Sequence, residues 1–344
     1  MPRPTIDDVA SLAGVSIKTV SRVVNHEPNV RGLTRDKVEK AIAQLDYRPN
    51  PSARNLASSR ARLIVLVYDD PSAYEVPSAG YIINMQEGAL RACRKAGFEL
   101  LIHPCNYRNE NVGKELTELI GQVRPAGIIV AAPLSNLPLI VNPITATDTP
   151  CVRLSTGSGS AKEYTIGTND REISAEMTRY LASLGHRRIA FVKGNRQHKA
   201  VGNRFKGYKD GLDQSGLPYL EELVAEGDNS IGSGEQCAED LLRRSPRPTA
   251  IFSANDDMAA GVLRTANRLG ISVPGELSIA GCDDIALAQQ IYPALTTIRQ
   301  PLSAMSELAS LALVNSARGN PHEPGLDVVP GIIKVRDSTA PAPE

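Results

Sequence analysis

Ile17, Lys18, Ser21, Arg22 and Asn25 fall one, three and four residues apart, the spacing that gathers side chains on one face of a helix. Their chemistry suits a surface that reads duplex DNA. A lysine and an arginine favour guanine O6 and N7, and an isoleucine can touch a thymine methyl. Ser21 and Asn25 suit phosphate oxygens. Behind them, Val20, Val23 and Val24 make an apolar side. A valine-backed helix with an exposed basic and polar face is what a major groove accepts.

The elements that must hold this face are short. Thr5 is a good N-cap, and Asp8 complements the dipole of a first helix with Val9, Ala10 and Ala13 on its apolar side. Gly14 can adopt the left-handed conformation of a tight turn, and Ser16 can cap the second helix. Two helices joined by one glycine turn read as a helix-turn-helix, although two amphipathic helices of an ordinary bundle share that pattern. A third helix follows, with Thr34 as its cap and Val38, Ala41, Ile42 and Leu45 at i, i+3, i+4 and i+7. Tyr47-Arg48-Pro49-Asn50-Pro51 stops it. Residues 52–60 have room for two helical turns, too few to be stable alone, and Leu56 is the one large apolar residue among small and basic ones.

Residues 4–60 resemble the DNA-binding headpiece and hinge of the LacI–GalR family of bacterial transcription regulators. The resemblance is carried by Thr5-Ile-Asp-Asp-Val-Ala, Ala13-Gly-Val-Ser, Thr19-Val-Ser-Arg-Val, Tyr47-Arg-Pro-Asn and Ala53-x-x-Leu56-Ala. It implies a headpiece at 1–47, a hinge at 48–61 and an effector-binding and dimerisation body at 62–344. It also implies a homodimer on a near-palindromic operator of double-stranded DNA, with Ile17, Lys18 and Arg22 on base edges. Thr5, Ser16, Thr19, Ser21, Asn25, Thr34 and Arg35 would support them around the groove. In the hinge, Asn50, Ala53, Leu56 and Ala57 would sit in the minor groove, with Leu56 wedged between bases.

From residue 62 the pattern changes to alternating strands and helices. Leu63–Val67 is a continuous apolar run, as in a buried parallel strand. Helices near 82–95 and 112–123 alternate with strands near 98–102, 127–131 and 151–154. After Tyr164–Thr168 the cycle restarts with helices near 171–184, 202–214, 234–243 and 257–269, and strands near 188–192, 250–253 and 277–281. The expected fold class is α/β, a two-lobed body with doubly wound parallel sheets behind a helix-turn-helix headpiece. The family resemblance implies lobes like those of periplasmic sugar-binding proteins. Lobe 1 would cover about 62–163 and 293–324, and lobe 2 about 164–292 and 325–344, with crossovers near 163, 292 and 325.

Ligands of such folds sit beyond the carboxyl ends of strands. The resemblance places the effector on Arg204, Asn255 and Asp283, with Asp256 and Asp284 read as caps of the following helices. A fork of donors, an amide and a carboxylate suit the hydroxyls of a sugar. On the facing lobe the candidates are Asp69, Asp70 and Tyr74 after the first body strand, with Tyr81 opening the next helix, and Ser155 at the end of strand 151–154. The acid often found near that serine in sugar-binding family members is absent here.

Net charge is zero overall, yet residues 1–62 hold eleven Lys and Arg against six Asp and Glu, so +5, which leaves −5 for the remainder. A basic headpiece on an acidic body suits one face on phosphate. The five cysteines (93, 105, 151, 237, 282) form no CxxC pair, so neither a zinc site nor a disulfide framework is expected. No metal, cofactor or membrane partner is expected, and a cytoplasmic place is. There is no G-x-S-x-G or HExxH, and no catalytic constellation is visible.

The expected function is an effector-responsive transcription regulator, most simply a repressor of carbohydrate-utilisation genes released by a sugar. The alternatives are a purine-type corepressor or, on the same lobes, a sugar-binding protein or carbohydrate enzyme. With no leucine heptads after Thr339, a dimer rather than a coiled-coil tetramer is expected. If Leu56 is the wedge, Leu56→Ala weakens operator binding by about tenfold or more while effector affinity stays at the wild-type value; fluorescence anisotropy on operator DNA and calorimetry on the effector separate the two.

Overall fold

The computed structural model describes residues 4–24, 30–47, 61–70, 80–158 and 163–343. Asn25, Asn50, Ala53, Leu56, Ala57 and Tyr74 lie outside the described residues. The chain divides into two units, Met1–Ala61 and Arg62–Glu344.

In the first unit, α1 (Ile6–Ala13), α2 (Ile17–Val24) and α3 (Gly32–Leu45) enclose one small core. The capping box is complete: Thr5 Oγ1 accepts from the Asp8 amide, and Asp8 accepts from the Thr5 amide at 2.8 Å. Gly14 ends α1 with φ +65°, a conformation that disfavours a Cβ. Ser16 accepts from the Thr19 amide at the start of α2. Val9, Val20, Val23 and Val38 are buried together with Ala10, Ala41 and Tyr47. One expectation fails. α3 begins at Gly32 with Arg31 at its N-cap, so Thr34 lies inside the first turn and does not cap it.

The second unit holds two six-stranded sheets. Lobe 1 contains β1 (Ala61–Asp69), β2 (Glu99–Cys105), β3 (Pro125–Val130), β4 (Cys151–Leu154), β5 (Tyr164–Gly167) and β11 (Gly325–Val328), in the order β11-β5-β4-β3-β1-β2. Lobe 2 contains β6 (Ile189–Lys193), β7 (Val224–Glu226), β8 (Ala250–Ser253), β9 (Ser278–Asp283), β10 (Thr296–Arg299) and β12 (Ile332–Lys334), in the order β12-β10-β9-β8-β6-β7. Within lobe 2 only β12 runs antiparallel, against β10. The apolar strands are buried on both faces by helices. In lobe 1, α4 (Gly80–Ala96) and α12 (Leu302–Ala317) cover one face. α5 (Val112–Val123) and α6 (Pro138–Thr145) cover the other. In lobe 2, α7 (Asp170–Ser183), α8 (Lys199–Gln214), α9 (Ile231–Leu242) and α10 (Asp256–Arg268) enclose the sheet, and α11 (Ala286–Gln290) follows β9.

The chain changes lobe a few residues later than expected. Residues 164–167 and 325–328 pair with each other in the lobe 1 sheet, and 296–299 pair with β9 in the lobe 2 sheet. The crossings therefore follow Gly167, Arg299 and Val328 rather than 163, 292 and 325. Each short strand extends a hydrogen-bonded ladder before the chain leaves, which local apolar patterning does not reveal. α6, α12 and the short strands β7, β10, β11 and β12 carry weak sequence signals and were not expected as elements. Among the described residues no helix is long and apolar enough to cross a membrane.

α4 and α12 approach closely at one glycine. A Cβ on Gly88 would sit 1.9 Å from the Ser303 carbonyl oxygen. Backbone cannot yield as a flexible side chain does, so Gly88→Ala is expected to destabilise the body by at least about 2 kcal/mol. A lower urea midpoint at unchanged slope would show it.

Candidate functional site

In the headpiece, α2 buries Val20 and Val23 and turns Ile17, Lys18 and Arg22 to solvent. Ile17 is 47% exposed and places an apolar contact among basic groups. Thr5 and Ser16 are committed as caps. Thr19 bonds Ser16 through its hydroxyl, and Ser21, Thr34 and Arg35 are half-buried around the same unit.

The second site lies between the lobes of the body. A cavity of about 170 Å³ opens there, more than ten times the ~10–15 Å³ that one water needs. Arg204, Asn255 and Asp283 all line it. α8 carries Arg204 inward, where its side chain is 2% exposed. Its Nε donates to Asp170 Oδ1 at 2.8 Å, and its Nη1 donates to the Ala254 carbonyl at 2.6 Å. Nη1 also lies 3.7 Å from Asp283 Oδ1. The remaining nitrogen, Nη2, is buried with no hydrogen-bond partner. Asn255 is the N-cap of α10: its Oδ1 accepts from the Met258 amide at 3.0 Å, and its Nδ2 donates to the Asn229 carbonyl at 2.9 Å.

The facing lobe differs from expectation. Asp69 lines the cavity, whereas Asp70 is not among the lining residues and gives its amide to the Cys105 carbonyl. Ser155 is buried beneath the lining and accepts from the Tyr81 hydroxyl at 3.4 Å. The cavity wall on this side includes Tyr81, Tyr107 and Asp69, met across the cleft by His198, Asn195 and Asp228. Asn195 Nδ2 reaches the Tyr107 hydroxyl at 3.4 Å, and the rings of Tyr81 and His198 meet edge-on at 6.2 Å. The strand-end rule applies to these residues too. Tyr107 follows the end of β2, His198 the end of β6 and Asp228 the end of β7.

Asp256 and Asp284 do not act as the expected helix caps. Asp256 accepts from the Thr297 hydroxyl and from the Ile285 amide, tying β10 and α11 to α10. Asp284 accepts from Arg299 and Arg336. The cap of α10 belongs to Asn255, one residue before Asp256, because Asn255 has extended backbone two residues after β8 ends.

The N-terminal segment, residues 5–50, matches the family model described as bacterial regulatory proteins, lacI family, and residues 178–339 match a periplasmic binding protein-like domain. The HTH-type transcriptional regulator GalR of Escherichia coli is 34% identical over 313 residues, 90% of this chain and 88% of that protein. The regulator DegA of Bacillus subtilis is 32% identical, spanning 98% of this chain and 99% of its own. A lac repressor dimer solved with operator and the anti-inducer ONPF superposes with TM-score 0.82 at 27% identity, covering 98% and 100% of the two chains. A CelR–cellobiose complex gives TM-score 0.74 at 28% identity over the same shares. The chain belongs to the lacI family of bacterial regulatory proteins.

This DNA-binding transcription regulator carries a cleft with unusual buried charge. One guanidinium faces two carboxylates. Burial holds Asp283 well above the usual carboxylate range against the opposing pull of Arg204, and burial likewise raises Asp170. Burial, then the Arg204 charge, lowers His198 to about 3, so it is a neutral ring whose Nδ1 has no hydrogen-bond partner. In the unfolded chain His198 takes a proton near its ordinary value of 6.5. Its contribution to stability is therefore complete above that value and is lost as pH falls towards about 3. His198→Gln is expected to lose less stability than wild type between pH 7 and pH 5; urea midpoints at the two pH values measure this.

Proposed function

We propose that this regulator is a repressor that binds a near-palindromic operator as a homodimer and is released by a neutral, hydroxyl-rich effector of the sugar class. Lys18 and Arg22 read guanine edges and Ile17 touches thymine methyls, while Ser21, Asn25, Thr34 and Arg35 hold phosphates. Thr5, Ser16 and Thr19 keep the reading helix in place. In the hinge, Asn50, Ala53 and Ala57 line the minor groove and Leu56 wedges between bases. The protein works in the cytoplasm and catalyses no reaction: its cleft carboxylates serve as acceptors, not as an acid and base pair.

The observation that carries the effector class is the arrangement at Arg204. Asp170 accepts from its Nε and Asp283 lies 3.7 Å from its Nη1, while Nη2, on this cavity-lining residue, has no hydrogen-bond partner. A hydroxyl satisfies that donor and returns its own proton to a carboxylate. Asp69, Asp228 and Asp283 line the same space, against Arg204 and the exposed Arg108. A phosphate would meet these carboxylates at close range, and like charges in a low dielectric repel strongly. Asp70, next to Asp69, and Ser155, bonded to Tyr81, back the lining of this pocket, and Tyr74 is a further candidate contact of the same effector.

Effector binding has to move the operator equilibrium by only about 1–3 kcal/mol to act as a switch. The test is thermal shift against galactose, ribose, cellobiose, glucose 6-phosphate and hypoxanthine. A neutral sugar is expected to raise Tm by mass action, and Asp283→Ala to abolish that rise. A rise with glucose 6-phosphate or hypoxanthine alone would overturn the effector class.

A further inference from the structure

The turn that carries Asp283 is strained, and the chain segment that grips it is one of the crossings between lobes. Asp283 has φ +129° and Asp284 φ +55°, two successive side-chain-bearing residues in a region that L residues rarely adopt. Such outliers persist only where the surroundings over-determine them. Here two neighbours supply that hold. Arg299, the last residue of β10, donates through Nε to Asp284. Gln300, the next residue, donates through Nε2 to Asp283 Oδ1. Gln300 is 5% exposed, and its own Oε1 is buried without a hydrogen-bond partner.

Position makes this contact consequential. Gln300 stands between β10, which belongs to the lobe 2 sheet, and α12, whose Leu302, Met305, Ala309 and Leu313 pack into the lobe 1 core. It does not line the effector cavity, yet it holds the carboxylate that does. Asp283 Oδ1 thus faces the cleft arginine on one side and the crossing strand on the other. We propose that Gln300 is a positioning residue that ties the state of Asp283 to the lobe crossing, so that a hydroxyl donating to Asp283 loosens the Gln300 grip and frees the crossing to shift. This rests on the assignment of Asp283 to the effector, but its test uses no effector.

Gln300→Met keeps the length and packing of the side chain and removes the amide. The full-length variant is measured against an operator duplex selected by the wild-type chain from random-sequence DNA, alone and combined with Asp283→Ala. Gln300→Met is expected to weaken operator binding about fivefold or more, with Tm within about 2 °C of wild type, as though an effector were bound. Added to Asp283→Ala it is expected to change affinity less than about twofold, because the shared contact is already gone. Wild-type operator affinity in Gln300→Met, or two effects that multiply independently, overturns the proposal. If Gln300→Met melts early, hydrogen exchange decides. Amides 299–303 are expected to exchange about tenfold faster in Asp283→Ala than in wild type, and equal rates overturn the proposal. An additive cycle would leave the sugar assignment standing, and a failed sugar panel would leave this cycle interpretable.

Discussion

The body of this protein is organised around one buried guanidinium. Arg204 reaches the floor of the cleft with Asp170 on Nε and Asp283 beyond Nη1. An unpaired charge at that depth would be strongly destabilising, and a single partner would not satisfy five N–H donors. The fold meets this demand with residues from four places. Asp170 opens α7, Ala254 follows β8, Asp283 ends β9, and Arg204 itself lies on α8. What remains unmet is one nitrogen, Nη2, on a residue that lines the cavity.

The same cluster explains why the cleft belongs to both lobes. Asp283 and Asp284 sit at the end of β9 with positive φ, held by side chains from the crossing at 299–300 and from Arg336. A residue held from two directions responds to a third. Ligand chemistry at Asp283 is therefore mechanically close to the strands that join the lobes, even though most lining residues are not.

The headpiece follows separate rules. Its core is a handful of valines and alanines with Tyr47, and its helices rest on a capping box and one glycine turn. Local signals suffice there because each helix is short and each cap lies within a few residues of what it caps. That is why the helix-turn-helix, its turn and its outward face could all be read from residues 5–24, while Thr34 was misplaced by a helix that starts two residues earlier, at Gly32.

The body was legible at a coarser level. Continuous apolar strands and periodic helices announced two doubly wound lobes, and the strand-end rule with the family pattern pointed to Arg204, Asn255 and Asp283. Short strands such as Thr296–Arg299 carry too few residues for a period, so the lobe crossings were misplaced by a few residues. His198, Asn195, Tyr107 and Gln300 were not identified, because each matters through a partner 80 or more residues away or through a single buried atom. Sequence alone thus determined the element types and the outward face of the second helix, since those depend on neighbours within a few turns, and the family resemblance supplied the three cleft residues. Only the tertiary structure decided that Arg204 is held by Asp170, that Asp69 and not Asp70 faces the ligand space, and that Gln300 grips Asp283, since burial and charge pairing are properties of chain segments brought together by folding.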